Sequence, residues 1–382
     1  MAKHEILDPS RPGRRSGIKR LVYRPQADGF HGSKGTGRSA WRENRDWSTI
    51  KEQLRLTVRR APEVVINVKG SRRGKDDDHA AIESVLRYMM YISRNGRLPT
   101  VNERGEQLDG RESIKETHAS WDLDMQRMRG AKDEPLHPSF NIIFSMPAKT
   151  DPDKMLDAVQ AFARERFQGH QYVMAIHTHE TDPADAPPEH PHVHLILRAE
   201  DEDGRRIHIR KTDLRNWREG FASQLRARGI EANATSRAER GRSLKSVRGA
   251  EWHIQQRYEK GLRSGSNPEP PKAKVARFLE ASLELQEGRT EVKPWEIAMV
   301  ARRRDVLREL KQNAARLRQE GDIELANQVD GFIRNMPPLE SERRQIQRAL
   351  IEQVQKRLQE RAQDKQEDVR REVAKSDRDG LE

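Results

Sequence analysis

Apolar residues fall in short runs over the middle of the chain and in loose helical stripes towards its end, and the two patterns predict different architectures. Residues 63–68 (EVVINV), 141–146 (NIIFSM), 171–177 (QYVMAIH) and 192–198 (HVHLILR) are β-branched or alternating runs of strand length. A fifth run, residues 205–210 (RRIHIR), follows the turn-forming EDEDG, so the last two runs read as a hairpin. Helical periods lie between them. Ile82, Val85, Met89 and Ile92 share one face of a helix that starts after three aspartates and stops near Gly96. Tyr88 and Tyr91, three apart, share a neighbouring face of the same helix. Thr150 and Asp151 start a second helix that runs through Phe167, and Thr212 is expected to cap a third, whose stripe is Leu214, Trp217, Phe221 and Leu225. The tally is an α+β fold, a mainly antiparallel five-stranded sheet flanked by helices, over residues 61–245. Residues 246–382 read as a charged helical region in which Ile346, Leu350, Val354 and Leu358 form a stripe suited to a helical hairpin or a partner surface.

Composition narrows this picture to one real core. Hydrophobic residues are 34% and charged residues 35% of 382, too few apolar groups to offset the ordering entropy of the whole chain. Residues 1–60 show no sustained period and carry 15 Lys or Arg against 6 Asp or Glu, so about +9 of the formal +12 sits in a basic flexible arm. A phosphate-rich partner, nucleic acid above all, suits that distribution. The absence of cysteine excludes disulfides, thiolate metal sites and cysteine nucleophiles. There is no signal-peptide core and no apolar run of about 18 residues, which predicts a cytoplasmic protein without membrane insertion.

The candidate chemistry is concentrated in histidines. His192 and His194 lie two apart on a strand, so both imidazoles project from one face while Val193, Leu195 and Leu197 enter the core behind them. His177 ends the preceding apolar run, and pairing of the two strands would bring it to the other two as a third metal ligand. His179, His190, Glu180, Asp182, Asp185 and Glu189 lie in the connecting loop.

These blocks, in order, resemble the relaxases of the plasmid-mobilisation type that includes the VirD2-like border nucleases. YISRNGRL, beginning at Tyr91, is similar to the segment that bears the family's nucleophilic tyrosine. FSMPAKTD, with Ser145, is similar to its serine motif, and HPHVHLIL, with His192 and His194, to its histidine motif. The resemblance runs over about residues 63–242. It implies a strand transferase that nicks transfer-origin DNA by transesterification: Tyr91 would be the nucleophile, and His177, His192 and His194 would hold a divalent metal, Mg2+ or Mn2+. Ser145, Arg94 and Lys211 would contact DNA, with Arg97 and Arg215 as further phosphate contacts. Single-stranded DNA, relaxosome accessory proteins and a type IV coupling protein are the partners it implies. One departure matters. The family places an aspartate two residues after the first histidine, where this chain has His179, and a longer loop follows, so the base could be Asp182, Glu180 or His179. Two other readings stand beside this one. A histidine-triad nucleotide hydrolase would use His192 as nucleophile, although Pro191 is out of place there and Tyr91 stays unexplained. A catalytically degenerate accessory protein would bind origin DNA without cleaving it.

Overall fold

The structure, a computed structural model, describes residues 46–74, 77–130, 134–182, 188–244, 249–289 and 291–379. Contacts divide the chain into two units, Met1–Trp47 and Ser48–Glu382, and the sheet and the helices that follow it lie in the second. The arm expected to run to residue 60 ends earlier than that. Trp47–Val58 is a helix, α1, which buries Leu54, Leu56 and Thr57, and the amide of Asn233 donates to the Thr57 hydroxyl at 3.1 Å. The rest of the expected arm lies outside the described residues.

The sheet holds six strands among the described residues, where five were expected: β1 (Val65–Gly70), β2 (Thr100–Asn102), β3 (Gln107–Leu108), β4 (Ser139–Ser145), β5 (His170–His177) and β6 (His192–Asp201). Their spatial order is β1-β4-β6-β5-β2-β3, antiparallel throughout. The four long strands follow the apolar runs. The expected fifth strand at residues 205–210 is not one. The chain turns back beside β6 for a single bridge, Glu200 to Arg206, before helix begins at Lys211. Ile207 and Ile209 alternate with charged or polar residues and still pack against the main core, but the run pairs with β6 only at that bridge.

One face of the sheet is closed by α4 (Pro152–Arg166) and α5 (Lys211–Arg226). Ile66, Ile142, Phe144, Val193, Leu195 and Leu197 meet Phe162, Trp217 and Phe221 there, and Phe144 sits edge-on to Phe162 and Phe221 at centroid distances of 5.4 and 5.1 Å. Asp151 caps α4 by accepting from the backbone N–H groups of Asp153 and Lys154. Thr212, expected to cap α5, lies inside it instead; the Asp213 carboxylate accepts from the Arg210 N–H at 2.7 Å and fastens the start of the helix. On the other face, α2 (Asp78–Ile92) and α3 (Gly110–Ser120) cover only the half that contains β5, where Val85, Met89, Ile92, Ile114 and Trp121 pack on Val173, Ala175 and Ile196. Among the described residues no helix covers the β1–β4 half of this face, and Val65, Asn67 and Lys69 are exposed along the edge strand.

Beyond the sheet lie α6 (Gly249–Arg263), α7 (Lys272–Gln286), α8 (Pro294–Gln319), α9 (Ile323–Arg334) and α10 (Glu342–Asp379). The α8–α9 hairpin buries Val306, Leu310, Leu317, Leu325 and Val329, whereas α7, α8 and α10 are joined by ion pairs. Arg343, from α10, donates to Glu284 of α7 at 2.6 Å and to Glu296 of α8 at 2.9 Å, and Lys293 stands 2.8 Å from Glu284. Because those hydrogen bonds outweigh desolvation, the Glu296 carboxyl is held down to about 2. The α8–α9 hairpin meets α1 through Lys51 and Arg55, which pair with Asp322 at 3.6 and 3.2 Å. No helix among the described residues is long and apolar enough to cross a membrane.

Candidate active site

Strand register assembles the histidines. His177 is the cross-strand partner of His192 in the β5–β6 ladder, and Ala175 is the partner of His194. Directly paired residues project to the same face, so His177, His192 and His194 converge at one end of the sheet. Ring centroids are 5.2 Å apart for His177 and His192, 4.8 Å for His177 and His194, and 5.2 Å for His192 and His194. One nitrogen from each lies within 4.8 Å of the others.

The far nitrogen of each ring meets an oxygen, which decides the tautomer. His177 Nε2 donates to the carbonyl of Ile92 at 2.8 Å, His192 Nδ1 to the carbonyl of His190 at 3.3 Å, and His194 Nδ1 to the side-chain oxygen of Asn141 at 3.3 Å. The lone pairs left over, on His177 Nδ1, His192 Nε2 and His194 Nε2, are those a cation would use, and outer-shell acceptors of this kind orient imidazole ligands and raise their basicity. Burial pushes the histidines the other way with respect to protons. Desolvation is the main cause in all three. It takes His177 down to about 4, with Arg94 helping and the Ile92 carbonyl opposing, and His194 down to about 3, with the neighbouring histidines helping. His192 is lowered as well. All three are therefore neutral at physiological pH, the form that binds metals without first losing a proton.

Tyr91 comes from the last turn of α2 and stands against this cluster. Its ring lies edge-on to His177 at 5.9 Å and to His194 at 5.8 Å between centroids, while half of its surface (51%) faces solvent. The stripe of α2 explains the aim: Val85, Met89 and Ile92 are fully buried, which turns Tyr91 out along the open part of the sheet. Tyr88 packs into the α2–α3 core.

The structure brings some of the other expected residues to this place. Ser145 is the cross-strand partner of His192 on the side away from His177, so it borders the cluster on the open half of the face. Asp182 forms an ion pair with Arg94 at 3.3 Å, and both side chains are largely buried. Of the three candidates for the base, His179 and Glu180 are exposed, and Glu180 accepts from the Thr178 hydroxyl at 2.8 Å. Asp182 alone among them reaches the cluster. Asp185 lies outside the described residues. Arg94, expected to contact the DNA backbone, is folded into the site beside Asp182 and His177. Lys211 is not part of it: it opens α5, on the opposite face, after a chain segment that pairs with the far end of β6. Arg215 is engaged by Glu219 and Glu239. The residue missed at the sequence level is Asn141, although it shares the parity of Ser145 on β4 and could have been placed on the histidine face by the period of two.

Comparison with known proteins now supplies a context. Residues 91–230 match the family described as "Relaxase: MobA/VirD2-like, nuclease domain", which bears out the resemblance seen in the sequence. No curated protein matches the chain. One solved structure, described as "Molecular Basis of Vancomycin Resistance Transfer in Staphylococcus aureus", aligns over 99% of its own chain and 46% of this one at 15% identity. Its TM-score is 0.28, a likeness too low to carry an argument.

Proposed function

We propose that this chain is a mobilisation relaxase that nicks one strand of transfer-origin DNA, with Tyr91 as nucleophile. The observation that carries the reading is the half-exposed Tyr91 ring set against three neutral imidazoles, one nitrogen of each within 4.8 Å of the others. The match of residues 91–230 to a relaxase nuclease domain supports it, as does the basic balance of the sequence. The histidine-triad alternative gives no task to His177 or Tyr91, both of which touch the site.

The donor set fits a divalent cation: three imidazole nitrogens, each backed by an oxygen acceptor, and the Asp182 carboxylate nearby. His177, His192 and His194 would hold it, Mg2+ or Mn2+, and when bound it supplies Lewis-acid neutralisation of the scissile phosphate. The chain's own residues do the rest. An ordinary phenol ionises near pH 10, so forming the phenolate at pH 7 costs about 4 kcal/mol, which a local acceptor and nearby positive charge must offset. Asp182 takes the proton. The Tyr91 oxygen then forms a bond to phosphorus as the bond from phosphorus to the 3′ oxygen breaks, leaving a 5′-phosphotyrosyl adduct and a free 3′ hydroxyl. The phosphodiester energy stays in the tyrosyl bond, so strands can be rejoined without ATP. Ser145 borders the path of the strand, and the open edge with Asn67 and Lys69 extends it. Binding through cations such as Lys69 falls with salt. Relaxosome accessory proteins, a type IV coupling protein and a cytoplasmic setting belong to the same reading.

The test is a denaturing gel of the purified chain mixed with labelled single-stranded DNA from the transfer region adjoining its coding sequence, with and without Mn2+. A metal-dependent protein-linked band that is lost in Tyr91→Phe is the expected result. Binding without an adduct under several metals would move the accessory-protein reading to first place.

A further inference from the structure

The turn after α2 is unusual in its backbone. Arg94, Asn95 and Gly96 have φ of 51°, 59° and 77°, three consecutive left-handed residues of which only one is glycine. Side-chain-bearing residues avoid this region, and where two adopt it in succession the surrounding structure must hold them there. Here the Asn95 N–H donates to the Met90 carbonyl at 2.8 Å and the Leu98 N–H to the Ser93 carbonyl at 2.9 Å, so the chain reverses directly beneath Tyr91.

The reversal sends the Arg94 side chain back into the site. Its guanidinium carbon lies 5.1 Å from the centre of the Tyr91 ring; one terminal nitrogen stands 3.3 Å from Asp182 and 3.3 Å from His177 Nδ1. The Nε–H is buried and has no hydrogen-bond partner among the described residues. A guanidinium has donors and no lone pair, so its contact with His177 consumes the imidazole lone pair. That lone pair is the one left for a cation once Nε2 is committed to the Ile92 carbonyl.

We propose that Arg94 is a positioning residue that competes with the divalent cation for His177 Nδ1 and couples cation binding to binding of the DNA phosphate. Entry of the cation detaches the guanidinium from His177. Asp182 and the Tyr91 ring keep it in the site, and its released N–H together with the unpaired Nε–H then face a phosphate oxygen brought to Tyr91. In the other direction, a phosphate that engages Arg94 frees His177, so each ligand promotes the other, as linkage requires. The inference rests on the metal-dependent reading above.

The experiment is a titration of the full chain with Mn2+, followed by the electron paramagnetic resonance signal of the free ion, with and without a single-stranded oligonucleotide. Without DNA, Arg94→Gln is expected to bind Mn2+ about tenfold more tightly than the wild type, within the usual range of coupling between sites. Arg94→Lys, which keeps the charge, is expected to stay near the wild-type value. Arg94→Gly, which the left-handed backbone favours, repeats the first test should the glutamine variant fold poorly. The oligonucleotide should tighten Mn2+ binding in the wild type and much less in Arg94→Gln. Equal or weaker binding in both neutral variants, with His194-dependent binding retained, overturns the Arg94 inference alone. If neither the wild type nor the variants show binding that His194→Ala removes, the metal-dependent reading itself fails and takes the inference with it.

Discussion

The two faces of β6 are made by one strand and have opposite tasks. Val193, Leu195 and Leu197 enter an aromatic core with Phe144, Phe162, Trp217 and Phe221. His192 and His194 project the other way, to His177, Asn141 and Tyr91. The first face is closed by two helices, whereas the second is covered over only half its width. Alternation with a period of two thus separates stability from chemistry within a single strand. The apolar face makes the strand rigid, and rigidity is what the opposite face needs in order to hold three imidazoles in register.

Substitutions should respect that division. The largest effect is expected at the tyrosine: Tyr91→Phe removes the attacking oxygen, and adduct formation should fall by roughly a thousandfold or more with no change in the melting temperature. A melting temperature that fell in step with activity would mean that Tyr91 is a core residue. On the opposite face, Phe144→Ala should cost about 3–5 kcal/mol in urea unfolding, since it empties a site ringed by Phe162 and Phe221. Its folded fraction should still bind Mn2+ as the wild type does. Smaller again is Asn141→Ala, which leaves the three ligands in place and removes the acceptor for His194. Mn2+ affinity should drop by roughly tenfold, as loss of an outer-shell partner does elsewhere. Calorimetry with no change in affinity would show that the Asn141 contact is incidental.

A separate effect is on acid stability. In the metal-free chain the unfolded imidazoles take up protons below about pH 6.5, while the folded site refuses them until about pH 4 at His177 and about 3 at His194. The stability these histidines allow is therefore complete above pH 6.5 and is lost as the pH falls through that window. His194→Gln should flatten the fall of the melting temperature between pH 6.5 and 4. An unaltered slope would place the acid sensitivity of that window at other groups, since the contribution of Glu296, lowered from 4.5 to about 2, is lost only below it.

Much of this was legible in the sequence because β-branched runs and alternation are local signals. The four long strands and the α2 and α4 helices follow from them, as does the pairing of His192 with His194. The two short strands, TVN and QL, lacked the length to declare a period, and they exist because β2 adds to the edge of β5. Helix α1 was hidden in a segment whose composition resembles the arm before it, yet Leu54 and Leu56 are buried. The same limit applies to the site. Strand-end histidines can be read from spacing, but the carbonyls of Ile92 and His190 that set two of the tautomers are backbone atoms with no side-chain signature. Arg94 looks like a surface cation in YISRNG, and only the left-handed turn returns it to the histidines.

The account turns on Tyr91 as the residue that becomes joined to DNA. The most direct measurement is mass spectrometry of the trypsin- and nuclease-digested product of the chain incubated with Mn2+ and a transfer-region oligonucleotide, to locate the peptide that carries a residual nucleotide. The account predicts a 5′-phosphonucleotide on Tyr91 of the peptide that follows Arg87, with fragment ions that separate it from Tyr88. A nucleotide on Tyr88 or on His192, or cleaved DNA with no modified peptide, would contradict it.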